Sequence, residues 1–149
     1  MIARGLYKDI PESWDVVITK DSETPEDIGV PAVVVGKLKG VICGYHLAII
    51  RPDQEKIDSV YLANSLKTLR VRKQFYKYAN GATRFGLSTG DIGKIEILAP
   101  KISEQKKIAN VLSGIDEEIL TLKQKLALIT RQKKGLMQKL LTGKIRVKV

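Results

Sequence analysis

The chain has 149 residues, 44% of them apolar, with one cysteine and one histidine. That is enough for one small domain plus an extension. The lone Cys43 excludes a disulfide framework or a cysteine metal cluster and suits a reducing, cytoplasmic compartment. The net charge of +10 points to a polyanionic partner. No run approaches the ~18 apolar residues of a membrane span, and "MIARGLYKDIPESW" lacks the apolar stretch of a secretory signal.

In chain order, "DVVITK" (Asp15–Lys20) and "PAVVVGK" (Pro31–Lys37) are short β-branched runs and predict strands. The polar "DSETPEDIG" between them predicts a loop. "GVICGYHLAIIRP" (Gly40–Pro52) predicts a further strand region, with Gly44 marking a bulge or a break and Cys43 as a small buried hydrophobe. Asp58 is placed to cap a helix from Ser59, with Tyr61, Leu62, Leu66 and Leu69 on one side. That helix, or a pair of helices, runs to about Ala79. "NGATRFGLSTGD" (Asn80–Asp91) predicts a loop, and "IGKIEILAP" (Ile92–Pro100) a strand closed by its proline.

Ser103 is the expected cap of a last helix, with Glu104 in its positive first turn. Within that helix Ile108, Leu112, Ile115, Ile119, Leu122, Leu126, Ile129, Lys133, Leu136 and Leu140 alternate steps of four and three. This is an unbroken heptad with a lysine at one seam position, and it predicts pairing with another helix. A helix from Ser103 to Leu141 is about 55–60 Å long at 1.5 Å per residue. It therefore has to protrude or lie along a partner, because an exposed Leu/Ile stripe is costly. Gly143 is the expected stop. The fold class is α/β in the α+β sense, a small mixed domain over residues 1–100 followed by a long helix and basic tail over 101–149.

Charge is unevenly placed. Residues 1–66 carry 7 Lys/Arg against 10 Asp/Glu, a net of −3. Residues 67–84 and 131–148 carry cations and no acid. In the first block Arg70, Arg72, Lys73 and Lys77 share a helical stretch with Phe75, Tyr76 and Tyr78, and a glycine-containing loop with Arg84 follows. Such cations neutralise phosphates and release counterions. Asn80, Thr83 and Arg84 are side chains able to reach base edges. The alternative is a solvated helix face over a core built on Phe75 and Tyr76.

Enzyme chemistry is poorly supplied. No phosphate-binding glycine loop is present. His46 has no second metal-ligand type clustered with it and is expected to be a satisfied strand histidine. Asp53 and Glu55 in "PDQEK" offer the alternative of a small Mg²⁺-dependent nuclease, but they look like part of a strand-to-helix loop.

Several of these segments carry a resemblance. "YLANSL" (Tyr61–Leu66), "GATRFGLSTGDIGKIEILAP" (Gly81–Pro100), Pro100 followed by Glu104-Gln105 and Ile108, and "KKGLMQKLLTGKIRV" (Lys133–Val147) resemble the specificity (S) subunit of type I restriction-modification systems. "IPESW" (Ile10–Trp14) is similar to the motif that opens that family's recognition domains, and "DVVITKDSE" to a segment usually met later in them. The resemblance implies a non-catalytic subunit with a target recognition domain that reads half of a bipartite site on double-stranded DNA. It implies a long helix that pairs antiparallel with another; the complete heptad suits two copies pairing as a two-fold homodimer, and pairing with another S subunit is the alternative. It also implies methyltransferase (M) and restriction (R) subunits as partners, with S-adenosylmethionine bound by the methyltransferase and no cofactor on this chain. One recognition domain and one helix amount to half of such a subunit, and the domain is short. A pure assembly role, with the helix docking and the domain never touching DNA, is the second alternative.

Overall fold

The computed structural model describes residues 2–4, 10–81 and 83–148. The chain divides into two compact units, Met1–Ala109 and Asn110–Val149. The class is α+β.

The first unit is built on a four-stranded antiparallel sheet. Its strands are β1 (Ile2–Arg4), β2 (Val16–Thr19), β4 (Pro31–Val33) and β5 (Leu47–Arg51), in the order β1-β5-β2-β4. A second, two-stranded ladder joins β3 (Asp21–Ser22) to β6 (Phe85–Gly86). The period-2 pattern of β2 buries Val16 and Ile18 on one face. In β5, which pairs with both β1 and β2, Ala48 and Ile50 join that same core.

Over this core lie α1 (Ser59–Lys67) and α2 (Leu69–Tyr78), contributing Leu62, Ala63, Leu66, Val71 and Phe75. Asp58 caps α1 as expected, accepting the Tyr61 amide at 2.9 Å. The pair is broken at Thr68, whose extended backbone (φ −65°, ψ 146°) ends one helix and begins the next. The break turns Leu69 out of the core, to 70% exposure. Tyr76 is likewise exposed.

Two predicted strands are shorter than their apolar runs, and a third is absent. The Pro31–Lys37 run ends its ladder at Val33, and Gly36 turns the chain at φ 82°. The Gly40–Pro52 run is a strand only from Leu47, because Gly40 (φ 71°) and a turn closed by Leu47 N–H on the Gly44 carbonyl interrupt it. Val41, Ile42 and Tyr45 are exposed there, and Cys43 is half-buried rather than buried. Ile92–Pro100 forms no strand. A short helix α3 (Thr89–Ile92), capped by Ser88, ends in it, and 95–100 joins no ladder. Side chains take the place of a neighbouring strand. The Gln74 amide donates to the Glu96 carbonyl (2.8 Å) and accepts the Glu96 N–H (2.9 Å), and Tyr61 Oη donates to the Leu98 carbonyl (2.8 Å).

The last helix, α4 (Ile102–Leu141), starts one residue before the expected cap, with the Lys101 carbonyl accepting the first helical amides. Ser103 therefore lies inside it. Gln105 does the anchoring. It is fully buried, its Nε2 donates to the carbonyls of Lys56 (3.0 Å) and Pro100 (2.7 Å), and its Oε1 accepts the Asp58 N–H (3.0 Å). Gln105→Leu leaves three backbone groups unpaired. It is expected to destabilise the first unit by about 2–3 kcal/mol, read from urea midpoints.

An ion pair with a buried carboxylate ties the two central strands of the sheet together. "IPESW" forms a turn in which Trp14 takes φ 72° and stays half exposed. Its backbone is held by Trp14 N–H on the Val34 carbonyl and by Ser59 Oγ on its own carbonyl. The turn delivers Asp15, 1% exposed, to a two-pronged bond from Arg51, both contacts at 2.9 Å, with the Glu12 N–H as a third donor.

In the second unit α4 continues to Leu141 and stops at Gly143 (φ 71°), as predicted. Every residue from 114 to 148 is exposed, the seam leucines and isoleucines included.

Candidate nucleic-acid interface

Helix α2 sorts its cations by face. Val71 and Phe75 point into the core. Arg70, Lys73 and Lys77, spaced three and four apart, share one exposed face. Among the described residues no carboxylate pairs with any of the three, and Lys77 Nζ lies over the Tyr78 ring at 5.5 Å. Lys94 Nζ lies over the same ring, also at 5.5 Å, and is balanced by Asp91 at 2.8 Å.

Arg72 behaves differently. Its Nη1 and Nη2 donate to the carbonyls of Ile28 and Glu26, and its guanidinium lies 5.1 Å from the centre of the Tyr76 ring. Its donors are spent on the chain's own loop, so it is a clamp between α2 and the segment before β4.

The segment after α2 is a tight hairpin rather than an open loop. Asn80 and Gly86 exchange both backbone hydrogen bonds (3.0 and 2.9 Å). Gly81 sits at φ 142°, where a Cβ would fall 1.8 Å from the Arg84 carbonyl, so only glycine closes this turn. Asn80, Thr83 and Arg84 are exposed on it, with Asn80 Nδ2 donating to the Tyr78 carbonyl (3.0 Å).

Asp21 and His46 hold the hairpin's arginine. Asp21 Oδ1 accepts from Arg84 Nη2 at 3.0 Å and is in contact with His46 Nδ1, while Arg84 Nη2 lies 2.8 Å from the same imidazole nitrogen. His46 precedes β5 in a turn and stacks obliquely on Tyr45, the ring centres 3.6 Å apart. Partial burial pushes the Asp21 carboxyl up, but hydrogen bonds from His46 and Arg84 outweigh it and hold the group below its ordinary value of 3.8. A depressed carboxyl stabilises the fold above the unfolded-state value and loses that contribution as pH falls through the folded one. The stability gap between the unaltered chain and Asp21→Asn is therefore expected to close below about pH 4, by urea titration.

Of the residues sequence reasoning offered for DNA, Arg70, Lys73 and Lys77 lie exposed on α2 and Asn80, Thr83 and Arg84 on a hairpin where a loop was expected, while Arg72 is bonded to the fold. That reasoning did not find Asp21, His46 or Lys94. His46 was legible only as the chain's one histidine, and nothing in the linear order ties residue 21 to residue 84. Asp53 is engaged locally. The Lys56 ammonium (2.7 Å) and the Glu55 N–H (3.1 Å) hold it below the usual carboxylate range, in a turn leading to α1. Among the described residues no three His, Cys, Asp or Glu side chains gather as a metal site. No helix among them is long and apolar enough to cross a membrane.

Residues 9–131 match the family model of the type I restriction modification DNA specificity domain. Two proteins of Methanocaldococcus jannaschii are similar. One, provisionally assigned as the specificity subunit of the type I restriction enzyme MjaX, is 31% identical over 119 residues, 78% of this chain and 28% of that protein. The specificity subunit of the type I restriction enzyme MjaVIII is 36% identical over 94 residues, 63% of this chain and 22% of that protein. The chain thus spans about a quarter of the length of these relatives.

Proposed function

Because the chain belongs to the type I restriction modification DNA specificity domain family, we propose that it is a non-catalytic recognition subunit that reads half of a bipartite site on double-stranded DNA. In this reading Arg70, Lys73 and Lys77 lie along phosphates. The Asn80–Gly86 hairpin presents Asn80, Thr83 and Arg84 to base edges. The α4 seam pairs with another helix and holds methyltransferase subunits, with restriction subunits joining them. S-adenosylmethionine is bound by the methyltransferase.

The observation that carries the reading is the split among the cations of α2. One arginine is consumed by the fold, while three cations share an exposed face, with no carboxylate paired to them among the described residues, along the helix that leads into the Asp21-braced hairpin. Fluorescence anisotropy with a labelled duplex tests it. Binding is expected to weaken steeply and linearly in log–log form as salt rises. Affinity indifferent to salt would remove the phosphate role.

The exposed α4 seam also suits a helix donor that assembles the complex without touching DNA. A gel shift with and without the methyltransferase separates the two readings. A shift by this chain alone supports direct recognition, and a shift that needs the methyltransferase and survives loss of the α2 cations supports assembly.

A further inference from the structure

This inference rests on the reading of α4 as a helix that pairs antiparallel, and concerns the register in which two copies of it meet. We propose that charge on the flanks of the seam selects a single alignment. In the heptad, a positions recur every seven residues from Leu112 and d positions from Ile108. The flanking e positions are then Asp116 and Lys123, and the g positions Glu118 and Lys125. All four are exposed, and among the described residues none forms an ion pair. On each edge of the seam an acid precedes a lysine by one heptad.

Antiparallel helices pack a against d and bring like flanks together, e beside e and g beside g, and those flanks set partner and orientation. When Ile119 packs on Leu122 of the second copy, Asp116 meets Lys123 and Glu118 meets Lys125. Each contact occurs twice by symmetry, and Glu104 comes opposite Lys139. Sliding one helix by a heptad in one direction sets Lys123 against Lys123 and Lys125 against Lys125. Sliding it the other way sets Asp116 against Asp116 and Glu118 against Glu118. A parallel in-register pair stacks Lys133 on Lys133 inside the seam, whereas the favoured antiparallel register gives each Lys133 an Ile108 instead. One alignment satisfies every flank, and its neighbours oppose like charges.

The register is read by spin labels on Lys134→Cys in a Cys43→Ser background. In the favoured alignment residue 134 lies level with residue 107 of the second copy, so the labels stand about 40 Å apart along the axis. The first slip shortens this to about 30 Å and the second lengthens it to about 50 Å, while a parallel pair brings the labels within about 20 Å. D116K/E118K and K123E/K125E are each expected to dimerise at least tenfold more weakly, and an equimolar mixture to restore a one-to-one dimer. Light scattering that finds the unaltered chain monomeric at about 100 μM overturns the pairing reading itself. A dimer at any other label separation, or a mixture that fails to re-pair, overturns the register alone.

Discussion

Gly29→Ala is expected to cost about 2–5 kcal/mol of stability, enough to unfold much of a small domain whose total is of the order of 5–15 kcal/mol. Gly29 sits at φ 71°, with its N–H on the Thr19 carbonyl at 2.8 Å. An alanine there accepts a left-handed backbone at about 1–2 kcal/mol. Its Cβ would also lie 2.5–2.7 Å from three ring atoms of Phe75, which is completely buried. The ring belongs to the close-packed core, so overpacking adds about 1–3 kcal/mol. The cause is separable. Phe75→Leu opens space where the new methyl needs it, so in the double variant the costs are expected to fall short of additive by about 1 kcal/mol or more in urea titrations. Strict additivity would assign the loss to backbone strain alone.

Local chemistry was legible wherever one residue type has one use. The Asp58 cap, the Gly143 stop and the heptad of α4 followed from side-chain chemistry and periodicity alone. Core membership on α2 was legible for Phe75 but not for Tyr76, because its face depends on where Thr68 restarts the helix. The Ile92–Pro100 strand failed for a tertiary reason. Its alternation is genuine, with Ile95 buried and Ile97 packed on the core, but its backbone partners are the side chains of Gln74 and Tyr61, and no pattern in a single segment announces that. Asp15 and Gln105 illustrate the same limit. Both are polar residues that read as surface, and both are sealed inside because partners 36 and 47 positions away satisfy them. Within the candidate site the cations were visible as a block without acids. Their division into a clamp, an exposed row and a braced arginine needed the loops at Glu26–Ile28 and Asp21 brought alongside.

That division yields the largest functional prediction. Replacing Arg70, Lys73 and Lys77 together by glutamine is expected to reduce the salt slope of duplex binding by about 3 and to weaken every sequence alike. Each phosphate contact scales binding as roughly the −0.9 power of salt, so between 1 M and 50 mM it is worth about 15-fold. Three contacts then amount to as much as about 10³-fold at 50 mM, shrinking as salt rises. The three side chains are exposed and none carries an ion pair among the described residues, so the melting transition is expected to stay within a few tenths of a kcal/mol of its original stability. Arg72→Gln is the opposing control. Its guanidinium is bonded to the Ile28 and Glu26 carbonyls, so its loss is expected to lower stability and leave the salt slope unchanged. Arg84→Ala is expected to act in a third way, costing about 1–3 kcal/mol on the preferred duplex and little on others, so that sequence preference relaxes while the slope changes by at most about one. If the triple variant binds DNA with the original slope, the exposed face of α2 is ordinary solvated helix and the duplex lies elsewhere. If Arg72→Gln lowers the slope as much as Lys73→Gln does, the distinction between clamp and phosphate contact is wrong.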